Sequence, residues 1–276
     1  MAGKVHIVGA GPGSADLLTV KAVSALGGAD IVLHDDLVPA EILEFAPQSA
    51  QIVNVGKRCG SRANTQEKIN ALMIWHAQNG SQVVRLKSGD PAVFGRLGEE
   101  LDALRRAGIP FDVVPGITAA SAAASAAGIA LTDRRAASTL VIATAHRWCA
   151  EAGRSEAGRA EVGSVAADSA DPTRTTFALY MPGPDYGRTA RQLMDSGLDA
   201  NTPCLLVSNA ARGNQQICHM TISDLPFAIG IAPPVVLIVG EVARKRTHKP
   251  EPTAIKTFLE ENHDPVGNRG KNSPYQ

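Results

Sequence analysis

The chain has 276 residues, of which 44% are hydrophobic, and its 27 Lys and Arg residues are balanced by 27 Asp and Glu residues. This length allows two hydrophobic cores of roughly 100 to 150 residues each. The charge balance excludes a global positive field that would draw the protein to nucleic acid or to an anionic membrane.

The cysteines and the apolar runs narrow the class of protein further. The four cysteines are widely spaced, without a CxxC pair or a histidine at zinc-site spacing. The N-terminus lacks the features of a signal peptide, and no apolar run approaches the ~20 residues that a membrane span needs. We therefore expect a cytoplasmic protein with reduced thiols and no metal, whose partners include neither nucleic acid nor a membrane.

The first half of the chain alternates short apolar runs with segments of helical spacing. Helices are predicted after the glycines near residue 13, over Thr65 to Gln78 and over Leu97 to Ala107. Strands are predicted at Val5 to Val8, Ala29 to Leu33, Ile52 to Val55, Gln82 to Leu86 and Phe111 to Val114. This alternation predicts a mostly parallel sheet with an active site outside the carboxyl ends of its strands.

The second half of the chain has a different texture. The small residues of Ala119 to Ala127 suit a closely packed helix. Strands are predicted at Thr139 to Ala143, Thr175 to Tyr180, Pro203 to Val207 and Pro234 to Val239. We predict an α/β fold with two α/β domains, residues 1–115 and 116–245. The polar composition of 151–171 indicates a flexible insert, and that of 246–276 a disordered tail.

A glycine-rich turn follows the first predicted strand. Gly9, Gly11 and Gly13 are spaced like the start of a dinucleotide fingerprint, but Ser14 stands where its third glycine is required. Pro12 also lacks the N–H that would bind a pyrophosphate. The turn is thus either a ligand loop of another kind or a tight turn that needs positive φ, and it disfavours an NAD-dependent dehydrogenase.

Two further turns follow predicted strands at the same edge. In the turn from Ser88 to Arg96, Gly89 would let a ligand approach the backbone, Asp90 could accept a hydrogen bond, and Arg96 could pair with a carboxylate. The alternative is that Asp90 caps its own turn and Arg96 is solvated. The next turn adds the hydroxyl of Thr118. Three turns converging on one edge indicate a binding site.

Six stretches of the chain carry a resemblance to a known family. They are Gly9-Ala10-Gly11-Pro12-Gly13, Asp16-Leu17-Leu18-Thr19, Val55-Gly56-Lys57-Arg58, Arg85-Leu86-Lys87-Ser88-Gly89-Asp90-Pro91, Phe94-Gly95-Arg96 and Val114-Pro115-Gly116-Ile117-Thr118-Ala119-Ala120. In this order and spacing they resemble the signatures of the uroporphyrinogen-III C-methyltransferases. The resemblance runs from about Val5 to Val242.

The resemblance implies a class III methyltransferase, usually a homodimer, in which S-adenosylmethionine binds in the cleft between two α/β domains and leaves as S-adenosylhomocysteine. The substrate would be an anionic tetrapyrrole, uroporphyrinogen III. Methylation at C2 and C7 would give precorrin-2 through precorrin-1, for the biosynthesis of sirohaem or cobalamin, or both.

The resemblance also assigns site residues. Asp35 would be the proton acceptor and Lys57 the proton donor, although Asp35 could instead be a turn or cap residue. Independently of the resemblance, the charges of Arg58, in a basic cluster with Lys57, and of Arg96 could bind the carboxylate arms of such a substrate, or could simply be solvated. The cofactor contacts would be Pro12, Ser88, Gly89, Asp90, Val93, Thr118, Ala119, Met181 and Ala210.

The chain departs from the family pattern in several places, which keeps two alternatives open. Ser88 and Ala210 stand where glycine is usual, His34-Asp35-Asp36 replaces Tyr-Asp-Arg, Asp133 replaces His, and Thr144-Ala145-His146 replaces Thr-Gly-His. One alternative is a methyltransferase of a later corrin-ring step, and the other is a non-catalytic homologue that binds the cofactor or a tetrapyrrole.

Overall fold

The computed structural model describes residues 3–56, 65–145 and 171–245. The predicted tail and all of the predicted insert except Asp171 lie outside these ranges, as do Lys57 and Arg58. Across the described residues, ten strands form two five-stranded sheets. The prediction of an α/β fold is confirmed.

The first sheet is parallel throughout, as the alternating pattern predicts. Its strands are β1 (Lys4–Gly9), β2 (Ile31–His34), β3 (Gln51–Asn54), β4 (Gln82–Lys87) and β5 (Phe111–Val114). Their spatial order is β3-β2-β4-β1-β5. The second strand begins two residues later than predicted, because Ala29 still donates its N–H to the carbonyl of Leu26 at the end of the preceding helix.

Helices cover both faces of this sheet. They are α1 (Val20–Gly27), α2 (Ala40–Leu43), α3 (Gln66–Gln78) and α4 (Leu97–Arg106). Thr19 caps α1 and Thr65 caps α3, since each side chain accepts an N–H from the first turn. Leu26 of α1 packs on one face with Val8, Val32, Val84 and Leu86. The other face carries α3 and α4, whose Ile69, Met73 and Leu104 pack with Ile7, Ile31 and Leu33.

The strand order creates a switch point between β1 and β4. The connection leaving β1 runs to β2, while the connection leaving β4 runs in the opposite direction, to β5. Ligands of open parallel sheets bind in the crevice that such a reversal opens at the carboxyl ends of the strands. The glycine turn after β1 and the Ser88 turn after β4 flank this crevice.

The second sheet is mixed. Its elements are α5 (Ala119–Ala126), β6 (Thr139–Thr144), β7 (Thr175–Tyr180), α6 (Tyr186–Asp195), β8 (Pro203–Ser208), β9 (Gln216–Thr221) and β10 (Val235–Val239). The order is β6-β7-β10-β8-β9, and only β6 and β7 pair in parallel. The sequence prediction missed β9, because its apolar residues are too few to stand out from a loop.

Helix α5 connects the two sheets. It follows β5 of the first sheet directly, yet its buried Ala123 packs in the same cluster as Leu205, Val207 and Ile238 of the second. The other face of the second sheet carries α6, where Leu193 lies with Leu206. The domain boundary between residues 115 and 116 stays a prediction. Among the residues described, no helix is both long and apolar enough to cross a membrane.

Candidate functional site

The three turns that the sequence singles out meet at the carboxyl edge of the first sheet. Gly11 and Gly89 exchange backbone hydrogen bonds, with N···O distances of 3.2 and 2.7 Å. Asp90 reaches the third turn, where its Oδ2 accepts the N–H of Gly116 at 3.0 Å. The turns after β1, β4 and β5 therefore form one connected structure.

Glycine is required where two of these turns touch. A Cβ on Gly9 would lie 2.6 Å from the backbone nitrogen of Gly116, and a Cβ on Gly116 would overlap the carbonyl of Gly89. Gly89 differs, because it has φ +71° and a Cβ built there would meet nothing within 4 Å in the described part of the chain. The edge is packed tightly below Gly89 and open beside it, which leaves room for a ligand against the backbone.

Asp90 organises the loop that holds it. Its Oδ1 accepts the N–H of Ala92 at 2.8 Å, while its Oδ2 bridges to Gly116. Asp90 therefore caps its own turn, as one of the two alternatives from the sequence predicts. A contact from Asp90 to the cofactor stays a prediction, since each carboxylate oxygen can accept a further hydrogen bond.

The second sheet contributes Tyr180 at the end of β7. Its hydroxyl accepts the N–H of Ala120 at 2.8 Å and shares a hydrogen bond with the hydroxyl of Thr118. Its ring packs edge-on against Phe94 of the first-sheet edge, with 5.1 Å between ring centroids. Burial raises the pKa of Tyr180, so this hydroxyl keeps its proton near neutral pH. Sequence reasoning missed the residue, although it ends a predicted strand beside Met181.

Strained backbone is concentrated around the same crevice. Among the described residues, five non-glycine residues have positive φ, and all lie in the loops after β4, β7 and β8: Phe94, Arg96, Met181, Asn209 and Ala211. Such conformations cost on the order of 1–3 kcal/mol each and collect at ligand sites. Two of the predicted cofactor contacts, Met181 and Ala210, lie at or between these residues.

Arg212 ties the loop after β8 to the first-sheet edge. Its Nε donates to the carbonyl of Pro12 at 3.2 Å, and its terminal nitrogen donates to the carbonyl of Leu37 at 2.6 Å. The side chain covers Gly13, where a Cβ would collide with it. Burial lowers the pKa of Arg212, but the guanidinium stays charged at any physiological pH. Arg212 therefore brings Ala210 close to the glycine turn.

Asp35 follows β2 at this edge and is fixed by a buried arginine. Its Oδ1 accepts a hydrogen bond from Arg85 at 2.5 Å, and 32% of the Asp35 side chain is exposed. Its backbone N–H donates to the carbonyl of Leu86, at 3.2 Å, so β4 holds both its main chain and its side chain. The turn geometry does not conflict with a role as proton acceptor, which stays a prediction.

A buried group of charges lies beneath Asp35. It consists of Arg85 and Lys87 on β4, Glu100 on α4, and the amide of Gln66, which donates to Glu100. Burial lowers the pKa of Lys87, followed by the effect of neighbouring Arg85, and Glu100 opposes both. Sequence reasoning missed this group, although two cations in an otherwise apolar strand signal it.

Arg96, predicted to bind substrate, is engaged by a neighbour. It makes a two-pronged ion pair with Glu99, at 2.7 and 2.5 Å, and both side chains are about half exposed. The hydrogen bond to Glu99 raises the pKa of Arg96. A carboxylate arm of a substrate would therefore have to displace Glu99 from Arg96 in this exposed setting.

The structure brings the remaining predicted contacts to one place. Pro12, Ser88 and Val93 lie in the first-sheet turns, and Thr118 and Ala119 begin α5. The hydrogen bonds of Tyr180 and Arg212 join these turns to the loops that carry Met181 and Ala210. Lys57 and Arg58 lie outside the described residues. Within the described ranges, no group of three or more His, Cys, Asp or Glu side chains is arranged to hold a metal ion.

Comparisons with known proteins point to one family. The family model described as Tetrapyrrole (Corrin/Porphyrin) Methylases matches residues 4–226. A uroporphyrinogen-III C-methyltransferase of Pseudomonas aeruginosa is 41% identical over 253 residues, which cover 91% of this chain and 98% of the relative.

Two solved structures have a similar fold. The uroporphyrin-III C-methyltransferase of Thermus thermophilus, complexed with S-adenyl homocysteine, superposes with a TM-score of 0.71 at 34% identity, over 87% of this chain and 99% of that one. A cobalt precorrin-4 methyltransferase superposes with a TM-score of 0.72 at 27% identity, over 88% of this chain and 96% of that one.

Proposed function

The chain belongs to the tetrapyrrole (corrin/porphyrin) methylase family, and within that family we propose that it methylates uroporphyrinogen III at C2 and C7, forming precorrin-2 through precorrin-1. It is an S-adenosylmethionine-dependent methyltransferase. The observation that carries the substrate is the 41% identity across 91% of the chain with a uroporphyrinogen-III C-methyltransferase. The three converging turns and the open side of Gly89 support the cofactor site.

The residues present fit the cofactor. The switch-point crevice has glycine backbone on one side and the strained loops after β7 and β8 on the other, so a ligand can contact main chain on both sides. Pro12, Gly89, Thr118, Met181 and Ala210 are the proposed contacts nearest to these features. S-adenosylmethionine, when bound, supplies an electrophilic methyl group on its sulfonium.

The protein acts mainly as a template for the transfer. A reduced pyrrole β-carbon is already nucleophilic, so the chain has to hold it in line with the methyl group. A carbon–carbon bond forms as the carbon–sulfur bond breaks, and the sulfur keeps the electron pair. The methylated ring then carries positive charge and must lose a proton, for which the Asp35 carboxylate is the proposed acceptor. Lys57 remains the predicted donor.

The acidic arms of the substrate require cations at the rim. Arg96 is the candidate within the described residues. Its guanidinium already forms a two-pronged ion pair with the carboxylate of Glu99 and can exchange that carboxylate for one of the substrate. Arg58 has the same predicted role. We further propose a homodimer, which size-exclusion chromatography with light scattering would detect as twice the monomer mass.

A later corrin-ring methyltransferase is the alternative with an observation behind it. The cobalt precorrin-4 methyltransferase superposes as well as the Thermus thermophilus enzyme does. Its identity to this chain is lower, at 27% compared with 34%. Overall fold is shared across the family, whereas identity follows substrate more closely, so we favour uroporphyrinogen III.

One assay separates these possibilities. The protein is incubated under reducing conditions with labelled S-adenosylmethionine and either enzymatically generated uroporphyrinogen III or a precorrin, and the products are analysed by mass. The precorrin used is one of a later step, cobalt precorrin-4, because precorrin-1 is an intermediate of the proposed reaction. We expect two methyl groups to be added to uroporphyrinogen III and none to cobalt precorrin-4. Methylation of the precorrin alone would support the later step, and cofactor binding without turnover on either would indicate a non-catalytic homologue.

A further inference from the structure

Three charged side chains are almost completely buried behind the crevice. Arg85 and Lys87 have side chains 3% exposed, and that of Glu100 is 0% exposed. Burying charges costs several kcal/mol per ion unless partners and hydrogen bonds compensate. An arrangement of this kind therefore has to be electrically balanced and well hydrogen-bonded.

The balance is incomplete without Asp35. Lys87 places its Nζ 2.8 and 2.9 Å from the two oxygens of Glu100, which pairs these two residues. Arg85 shares one of the same oxygens, at 3.0 Å, and adds a second positive charge. Two cations and one anion leave a surplus of one positive charge. The carboxylate of Asp35 is the group that cancels it.

The guanidinium of Arg85 is held in one orientation. Its Nε donates to Glu100, and one terminal nitrogen donates to the carbonyls of Leu33 and Leu86, each at 3.2 Å. The remaining terminal nitrogen points to Oδ1 of Asp35. Within the described residues, Oδ2 of Asp35 has no hydrogen-bond partner and remains for another group.

We propose that Arg85 is a positioning residue for methyl transfer, which fixes the Asp35 carboxylate through one oxygen and directs its second oxygen towards the reacting tetrapyrrole. The inference rests on the proposed function, in which Asp35 accepts the proton. The charged and titratable groups around Asp35 are His34, whose Nδ1 contacts the Asp35 carbonyl at 3.0 Å, Asp36 in the same turn, and the buried Arg85, Lys87 and Glu100.

The same charge balance selects the test variants. Glu100→Gln would leave two buried cations with no anion and is expected to unfold the sheet. Arg85→Met removes the surplus cation, keeps the neutral Lys87–Glu100 pair, and leaves the partly exposed Asp35 to water. Arg85→Lys retains the charge but cannot reach Glu100 and Asp35 in the geometry of a planar fork. Arg105→Met removes an exposed Arg–Asp pair on α4 and is the matched control.

The experiment measures kcat and KM on uroporphyrinogen III, together with the dissociation constant for S-adenosylhomocysteine. For Arg85→Met we expect a fall in kcat of about 10- to 100-fold, because Asp35 loses the donor that fixes its orientation. The dissociation constant for S-adenosylhomocysteine should change by less than about twofold, and Arg85→Lys should recover part of the loss. Arg105→Met should match the unchanged protein in both kcat and the dissociation constant for S-adenosylhomocysteine.

Two results would overturn the inference. One is an unchanged kcat in an Arg85→Met protein that still binds S-adenosylhomocysteine. The other comes from a cycle of Asp35→Ala, Arg85→Lys and the double variant, which also serves if Arg85→Met does not fold. Positioning predicts that Arg85→Lys has no further effect on kcat once Asp35 is gone, whereas additive losses would contradict it. Full turnover by Asp35→Ala alone would instead remove Asp35 from the proposed function.

Discussion

The two sheets contribute different side chains and different main-chain conformations to the same crevice. The first-sheet edge presents tightly packed glycine turns, a carboxylate at Asp35 and a buried group of charges beneath it. The second-sheet edge presents an aromatic hydroxyl at Tyr180, an arginine bridge at Arg212 and strained main chain. We propose a division of labour, in which the first sheet supplies the proposed proton acceptor together with cofactor contacts, and the second shapes and closes the cofactor site.

The topology of each sheet explains the contrast. All five strands of the parallel sheet end at one edge, so polar groups after β1, β2, β4 and β5 meet without further adjustment. In the mixed sheet only β6, β7 and β8 end at the corresponding edge, since β9 and β10 run the other way. With fewer strand ends available, the second half reaches the crevice through positive-φ residues and long side chains.

The largest effect on stability and cofactor binding is expected from Gly9→Ala, which would disrupt the packing of the first-sheet edge. The new methyl group would lie 2.6 Å from the nitrogen of Gly116 and should lower the free energy of unfolding by about 2–3 kcal/mol. Binding of S-adenosylhomocysteine, followed by calorimetry, should fall below detection. Gly98→Ala is the control, because a Cβ there meets nothing within 4 Å in the described structure and alanine favours the helix. Equal binding by both variants would show that the turns need not touch.

A smaller effect is expected at the second-sheet edge from Tyr180→Phe. The change removes the hydroxyl that contacts Ala120 and Thr118, leaving both without this partner, which costs about 1–1.5 kcal/mol. The dissociation constant for S-adenosylhomocysteine should therefore rise about 5- to 10-fold. Tyr186→Phe, at the buried first position of α6, should leave binding unchanged. A loss of kcat with normal cofactor affinity would place Tyr180 in the chemistry instead.

A weaker effect is expected from Arg212→Met, which breaks the bridge between the two edges. The carbonyls of Pro12 and Leu37 lose their donor, but both can be hydrated once the side chain has gone. The lost hydrogen bonds should cost about 1 kcal/mol or less. We therefore expect the KM for S-adenosylmethionine to rise about 3-fold while kcat stays nearly constant. Steady-state kinetics beside Arg191→Met, an exposed position on α6, provides the comparison. An unchanged KM would remove Arg212 from the closure of the site.

The smallest effect concerns the apolar interior of the second sheet. Burial raises the pKa of Cys204 to about 12 from an ordinary value of 9.0. A raised pKa for an acidic group stabilises the fold below pH 9, and that contribution is lost as pH rises towards 12. Urea unfolding should show that the protein loses about 1 kcal/mol more between pH 8 and about pH 9.7 than Cys204→Val does. Equal losses would indicate that Cys204 is hydrated.

The sequence predicts the first sheet better than the second. Helix α3 and strand β5 were found within a residue of their bounds, because threonine caps and continuous apolar runs are local signals. Strand β9 was missed, since its apolar residues are too few to mark it locally and its identity as a strand depends on antiparallel pairing with β8. Local patterns carry little information about pairings that depend on distant strands.

The candidate site was predictable in part for the same reason. Turns at strand ends could be read from glycine and proline, and the structure joins them as expected. The contact between Asp35 and Arg85 spans 50 positions of sequence, and the strained φ angles of Met181 and Ala211 follow from packing rather than from residue type. Tertiary contacts of this kind became visible only once the strands were placed side by side.

The division of labour is tested most directly by comparing Asp35→Ala with Tyr180→Phe in one experiment that measures kcat on uroporphyrinogen III and the dissociation constant for S-adenosylhomocysteine. The account predicts that Asp35→Ala lowers kcat by at least about 100-fold with unchanged cofactor affinity, and that Tyr180→Phe weakens cofactor affinity with a nearly unchanged kcat at saturation. The opposite assignment, or a parallel loss of both quantities in both variants, would contradict it.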